Sequence, residues 1–268
     1  MTPTKSGYGG RVDRPALDAV ALHAALDERW ARIDVVDETA STNADLIADL
    51  TAPDRSLLVA EDQTAGRGRL DRAWVTPARA GITASFLFRP AAPVSTWGWL
   101  PLLAGLALRY AVSETFTALK WPNDLLDEQG HKLAGILAQT TGDAVVIGIG
   151  LNVTTTADEL PVETASSMQL SGAPSLDRTK ILIDMARNLD HRMAQWEDVN
   201  GDAAACGLAA DYASACATLG QAVRIATLAG DDITGHAVQI AADGRLLVDV
   251  DGELIAVGAG DVQHLRNA

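Results

Sequence analysis

Lys132-Leu133-Ala134-Gly135-Ile136-Leu137-Ala138-Gln139 is followed by Thr140-Thr141-Gly142-Asp143 and then by Ala144-Val145-Val146-Ile147-Gly148-Ile149-Gly150-Leu151-Asn152-Val153. Two apolar runs separated by a short polar turn predict a β-hairpin. Upstream, Ile33 to Val36 and Leu57 to Ala60 read as strands, the second of a buried type. Gly81 to Phe88 reads as another, with Ala84, Phe86 and Phe88 alternating against Thr83, Ser85 and Leu87. Helical spacing marks Ala16 to Trp30, Leu100 to Phe116 and Leu176 to Trp196. Ser41-Thr42-Asn43 precedes the apolar-periodic run Ala44 to Leu50, where an N-cap belongs. Beyond about Leu219 short apolar runs alternate with turn signals such as Asp243-Gly244 and Asp251-Gly252. Asp-Gly between β-rich runs signals hairpins. The expected architecture is α+β: a mixed β-sheet with packed helices over 1–218 and a small β-barrel over 219–268.

The chain has 268 residues, 48% of them hydrophobic and 21% charged, the balance of an ordinary globular protein. No apolar run is long enough to cross a bilayer, and the N-terminus lacks the apolar core of a secretion signal, so a cytoplasmic protein without a membrane partner is expected. Residues 1–15 read as a loosely held tail. Cys206 and Cys216 lie in an Ala-rich segment; on a single helix they would be about 15 Å apart, too far for a disulfide. Without clustered Cys or His partners, protein-held metal is not expected. The net charge of −14 repels nucleic acid, which argues against it as a partner.

Against that charge stands Gln63-Thr64-Ala65-Gly66-Arg67-Gly68-Arg69-Leu70-Asp71-Arg72-Ala73-Trp74. Glycine lets backbone N–H groups approach a ligand closely, and arginine supplies a rigid fork of donors for carboxylates and phosphates. The chemistry fits a grip on a small anion, and by itself it fits a flexible basic surface loop equally well. Lys120-Trp121-Pro122-Asn123-Asp124-Leu125-Leu126 forms a further cluster ahead of the hairpin.

Taken in order, Ser41-Thr42-Asn43, the Gly/Arg loop, the Lys120 cluster and the two hairpin strands resemble the biotin–protein ligases, from about Ser41 to the C-terminal end. The resemblance implies a class II synthetase-like ligase core and a C-terminal SH3-like barrel. It also implies an enzyme that makes biotinyl-5′-AMP from biotin and ATP with Mg²⁺, then transfers biotin to a lysine of a biotin carboxyl carrier domain. Some relatives carry an N-terminal helix-turn-helix and repress transcription; the single helical segment before Ser41 does not fit one, so a monofunctional ligase that acts as a monomer is the expectation.

The resemblance assigns Ser41, Thr42, Asn43 and Gln63 to the ureido head of biotin, and Gly66, Arg67, Gly135 and Gly148 to the rest of it. Lys132 would reach both the biotin carboxylate and the α-phosphate. Arg69 and Arg72 face the adenylate phosphate, Trp74 the adenine side, and Asn123, Asn152 and Arg266 the nucleotide. Bland alternatives stand beside these: Lys132 as an exposed strand-start lysine, Gly135 as a bulge, Asn152 as a turn former, Ser41 to Asn43 as a cap only, and Asp124 as a turn cap or metal ligand. Trp97, Trp99, Trp121 and Trp196 read as core or interface. The sequence departs from the family pattern at Leu70-Asp71, where Arg-Gly is common. That loses one positive charge, adds a negative one and stiffens the backbone. Competing functions are a lipoate–protein ligase, an octanoyl transferase using a cysteine, and a biotin-binding protein with impaired catalysis.

Overall fold

The computed structural model describes residues 14–226 and 232–265. Seven strands form one mixed sheet: β1 (Arg32–Thr39), β2 (Ser56–Gln63), β3 (Gly81–Phe88), β4 (Thr117–Lys120), β5 (Asp124–Asp127), β6 (Lys132–Thr141) and β7 (Ala144–Asn152). Their order is β1-β2-β3-β7-β6-β5-β4; β1 runs parallel to β2 and every other neighbouring pair is antiparallel. The hairpin read from sequence is β6–β7. Thr141 pairs with Ala144, which leaves Gly142-Asp143 as the turn, and Gly142 takes a φ of 59° that suits glycine.

One face of the sheet is covered by α1 (Ala19–Leu26), α3 (Leu100–Ala111) and α4 (Arg178–Asp198), with Ile82, Ala84, Phe86, Ile147, Ile149 and Leu151 in the shared core. Trp30 meets Phe86 and Phe88 with ring centroids 5.3 and 5.5 Å apart, distances typical of favourable aromatic pairs. The other face is covered at one end only, where α2 (Thr42–Ala48) packs Leu46 on Leu58, Leu87 and Val146. The alternation in β3 therefore does not separate core from solvent: all eight of its residues are buried, because each face has its own cover. The helix expected to reach Phe116 ends at Ala111, and Phe116 is exposed before the chain enters β4.

α5 (Leu208–Ala215) lies between Cys206 and Cys216, so the two cysteines do not share one helix; both are free thiols. The remaining strands, β8 (Ala222–Ala226), β9 (Asp232–Ile240), β10 (Leu246–Val250), β11 (Glu253–Val257) and β12 (Asp261–His264), form a separate antiparallel sheet ordered β11-β10-β9-β8-β12. The turn before β10 docks on two tryptophans, Trp99 just ahead of α3 and Trp121 just after β4. Trp99 Nε1 donates to Ala242 O at 2.9 Å and Trp121 Nε1 to Gly244 O at 3.3 Å. A side chain at Gly244 would strike the backbone of Gly98 at 2.5 Å. No helix among the described residues is long and apolar enough to cross a membrane.

Arg14 and Pro15, read as part of a loose tail, are tied down. The Arg14 guanidinium reaches Glu159 Oε2 at 2.6 Å and Thr154 O at 3.1 Å. Its hydrogen bond, ahead of those from Thr156, holds the Glu159 carboxyl down at about 2 against an ordinary 4.5. A depressed carboxylate stabilises the fold above its ordinary value and loses that contribution as pH falls toward its folded value. Arg14→Gln is accordingly less stable than wild type at pH 7, with the gap closing between about pH 4.5 and 2. Urea unfolding of both proteins across that range checks this. A gap that persists unchanged at the acid end would mean that the pair is not its source.

Candidate functional site

The uncovered end of the second sheet face floors a cavity of about 870 Å³, within the range of small-molecule sites. Its floor is nearly bare of side chains. Gly135 on β6 pairs in register with Gly150 on β7, and Gly148 follows on the same face. A Cβ on Gly148 would meet Asn43 Oδ1 at 2.2 Å, and one on Gly150 would meet the Trp74 indole at 2.3 Å. Glycine is required here by close approach of neighbouring groups, a reason that only the folded sheet reveals.

At the α2 end the wall is polar and mutually bonded. Ser41 caps α2, its hydroxyl accepting from Ala44 N. Thr42 donates both its backbone N–H and its hydroxyl to Gln63 Oε1, at 3.0 and 3.1 Å. Asn43 Nδ2 donates to Gln139 Oε1 at 2.8 Å and Leu137 O at 3.2 Å, while the Ser85 hydroxyl lies 2.6 Å from Asn43 Oδ1 and 2.7 Å from Thr42 Oγ1. Capping and site-building coexist: Ser41 closes the helix while Thr42 and Asn43, both buried, are held in one rotamer each by partners on β2, β3 and β6.

The Gly/Arg loop closes on itself above the floor. Arg67 bridges Ala73, Gly68 N donates to Arg72 O at 2.6 Å, and Trp74 N donates to Gly66 O at 2.9 Å. Leu70 sits at its tip with φ 56° and ψ 38°, the left-handed region that a branched residue occupies only at a cost. Gly66 does not line the cavity; a Cβ there would strike Gln63 Nε2 and Trp74 O at 2.4 and 2.5 Å, so its part is to let the loop close. The Trp74 indole rests on Gly150 and beside Gly135, with its buried Nε1 lacking a hydrogen-bond partner among the described residues. Buried donors without a partner are uncommon and costly.

The opposite end of the cavity is cationic. Lys132 Nζ lies 2.6 Å from Asp124 Oδ1 and 5.9 Å from the centroid of the Trp74 ring. The Lys132–Asp124 contact is one of charge, without a well-aligned N–H. The Lys132 backbone is fixed by bonds to Thr164 O and from Ser166 N, each 2.8 Å, so this residue is built into the sheet and is no loose surface lysine. Arg69 Nη1 approaches Asn123 Oδ1 at 3.4 Å, and Asn123 Nδ2 donates to Ile136 O. Burial lowers the Arg69 pKa, opposed by Asp124 and Asp261. Arg72 pairs with Asp261 at 2.6 Å, which raises the arginine and lowers the carboxyl, chiefly through that hydrogen bond. Asn152 is buried, donating to Ser166 O at 3.0 Å and accepting from Thr76 at 3.3 Å; it staples the segment after β7 and is not a simple turn former. Five bases (Arg67, Arg69, Arg72, Lys120, Lys132) face the cavity against two carboxylates, Asp124 and Asp261, which makes it a positive site in an acidic protein.

Of the residues picked from sequence, Ser41, Thr42, Asn43, Gln63, Arg67, Arg69, Arg72, Trp74, Asn123, Lys132, Gly135, Gly148 and Asn152 all border this one cavity, and Arg266 lies outside the described residues. Lys120 and Asp124, from the 120–124 stretch that the resemblance sets against the triphosphate and its Mg²⁺, border it too, and the structure adds Gly150 and the strand Asp261 to His264. Gly150 could have been found from its spacing to Gly148, whereas the small sheet's contribution has no local sequence signal. Among the described residues no cluster of three or more His, Cys, Asp or Glu is placed to hold a metal.

A glycine-floored cavity with a polar head end and a cationic far end, set in a mixed sheet beside a small β unit, is shaped for a slender ligand that is neutral and polar at one end and anionic at the other. Residues 33–152 match the Biotin/lipoate A/B protein ligase family, and residues 218–265 match the Biotin protein ligase C terminal domain. The chain is 43% identical over 266 residues to the biotin--[acetyl-CoA-carboxylase] ligase of Mycobacterium tuberculosis, covering 94% of this chain and 97% of that one. It is 32% identical over 254 residues to the bifunctional ligase/repressor BirA of Escherichia coli, covering 89% and 74%. The biotin protein ligase of Aquifex aeolicus, solved in complex with biotin and ATP, superposes with a TM-score of 0.73 at 26% identity, covering 89% of this chain and all of that one. This chain belongs to the biotin protein ligase family.

Proposed function

We propose that the chain joins biotin to ATP as biotinyl-5′-AMP and then passes biotin to a lysine of the carrier domain of acetyl-CoA carboxylase. The observation that carries this is the order of chemistry along the cavity: neutral hydrogen-bonding groups at Thr42, Asn43 and Gln63, a bare strip at Gly148, Gly150 and Gly135, then Lys132 and Arg69. A ligand with a neutral polar ring, a slender chain and a terminal carboxylate suits that sequence of surfaces.

In the first step a biotin carboxylate oxygen attacks the α-phosphorus of ATP and pyrophosphate leaves. Lys132 and Arg69 offset the charge that grows on the phosphoryl oxygens, and the Gly/Arg loop excludes water from the mixed anhydride. In the second step the acceptor amine attacks the biotinyl carbonyl, AMP leaves, and the amine gives up a proton. For the adenine side to reach the cavity, Trp74 leaves its place on Gly150, and its orphaned Nε1 gains a partner in the liganded loop. Mg²⁺ arrives with ATP: Asp124 or Asp261 with triphosphate oxygens fits the usual magnesium arrangement of a carboxylate or two plus phosphates, and the ion would offset triphosphate charge. Residues 1–218 act as the catalytic unit and 219–268 as its C-terminal unit. The protein works as a monomer in the cytoplasm, and the charge of −14 supports a role without nucleic acid.

Exchange of labelled pyrophosphate into ATP is the test. Exchange dependent on biotin supports the reading; exchange dependent on lipoate alone moves the chain to the lipoate branch. Biotin binding with no exchange at all reduces it to a binding protein.

A further inference from the structure

Thr218 stands at the junction of the two sheets and is fully buried. Its hydroxyl accepts the backbone N–H of Trp121 at 3.0 Å, and it lies 3.1 Å from His264 Nε2. A threonine hydroxyl has one proton. The oxygen could accept from Nε2–H as well as from Trp121 N–H, but that would leave the buried hydroxyl proton without an acceptor among the described residues. The arrangement that pairs every group has Oγ1–H donating to Nε2. The proton of the neutral ring is thereby assigned to Nδ1, a tautomer fixed by the partner of the other nitrogen. Burial, and after it the positive charge of Lys120, keeps the His264 imidazole below its ordinary 6.5, hence neutral near pH 7. Nδ1 has no partner among the described residues, and His264 borders the cavity beside Lys120.

We propose that His264, oriented by Thr218, donates Nδ1–H to a phosphate oxygen of ATP beyond the α-phosphate. Three features carry it. The donor is placed by a two-bond relay from the Lys120-Trp121 turn, so turn and donor share one frame. Its neighbour Lys120 is cationic, which suits a polyanion. Lys132 and Arg69 are already committed to the carboxylate and the α-phosphate in the ligase reading above, on which this inference rests. His264 binds the part of ATP that leaves as pyrophosphate and touches neither biotin nor the attacking oxygen, and Thr218 is the positioning residue behind it.

The test measures KM for ATP and for biotin in pyrophosphate exchange, together with direct calorimetric binding of pyrophosphate and of AMP, in four variants. His264→Ala raises KM for ATP about tenfold or more, the scale of losing one hydrogen bond to a charged group, and weakens pyrophosphate alike. Biotin KM and AMP binding stay within about twofold, under a third of the free energy of a tenfold change. His264→Asn, whose carboxamide N–H can take the place of Nδ1–H, recovers most of the loss. Thr218→Ser behaves as wild type, and Thr218→Val follows His264→Ala in the ATP-specific direction. Equal weakening of AMP and pyrophosphate, or of biotin and ATP, would overturn the proposal in favour of a purely structural role. So would an unchanged ATP KM in His264→Ala. If wild type shows no biotin-dependent exchange, the ligase reading fails, and pyrophosphate binding by wild type against His264→Ala still decides the role of His264.

Discussion

Lys132→Ala slows biotin-dependent pyrophosphate exchange by about 10²–10³-fold, with a smaller rise in biotin KM. Losing one preorganised charge aimed at a transition state costs a few kcal/mol of barrier, which is this range. The structure gives reasons to expect the upper part of it. Lys132 is placed by backbone bonds to the 164–166 segment on one side and by β6 on the other, so the root of its side chain is fixed at the cavity wall. Its neighbour Asp124 lies within 2.6 Å and balances it until the phosphates arrive. Lys132→Arg is the companion measurement. A planar guanidinium holds charge but not the compact shape, so it restores binding more than rate. An alanine variant whose kcat is unchanged while only KM moves would remove Lys132 from the chemical step and leave it as a binding contact.

Arg178→Met has the largest expected effect on stability. Arg178 and Glu61 are both buried, with Nη1 2.8 Å from Oε2 in a charge contact that lacks a well-aligned N–H. The guanidinium also donates to Gly81 O at 3.1 Å and Pro15 O at 2.6 Å, and Glu61 Oε1 accepts from Leu17 N at 2.5 Å. These bonds tie the two roots of the Gly/Arg loop, at the ends of β2 and β3, to α4 and to the N-terminal segment. Removing one partner strands the other's charge in the interior, at a cost of about 3–5 kcal/mol. At this chain length that corresponds to a fall in Tm of roughly 6–20 °C. Arg178→Met combined with Glu61→Gln recovers much of the loss, because no buried charge is left unpaired. Calorimetric scans of the three proteins decide it. A single variant within about 1 kcal/mol of wild type, or a double variant no better than the single, would mean that the pair is not what holds the loop roots.

Much of this was legible in the chain. The β6–β7 hairpin followed from two apolar runs around Gly142-Asp143, and α2 from a cap residue ahead of a periodic run, because hairpins and caps are decided by residues a few positions apart. The cationic loop was legible for the same reason, since Gly66 to Trp74 folds back on itself. Other features were invisible because they are settled by residues far away in sequence. β3 alternates like a half-exposed strand, yet α2 covers its second face. Arg14 looked like part of a tail until Glu159 supplied a partner. Leu70 looked like a substitution of charge, and its left-handed backbone emerged only with the closed loop.

The site divides along the same line. The residue types that the site uses were already written in the chain, because interleaved glycines and arginines closed by a tryptophan, and then Lys132 ahead of further glycines, specify close approach and charge for an anion. Tertiary structure alone decided which of them meet and how each is held. It placed Gly150 opposite Gly135, withdrew Gly66 from the wall into the loop's own packing, and committed Asn152 to Ser166. It also carried β12 from the far end of the chain to put Asp261 and His264 at the cavity. Local hydrogen bonds and sterics are written in neighbouring residues, whereas the partner of a charge or a donor across two sheets exists only once both sheets have been packed.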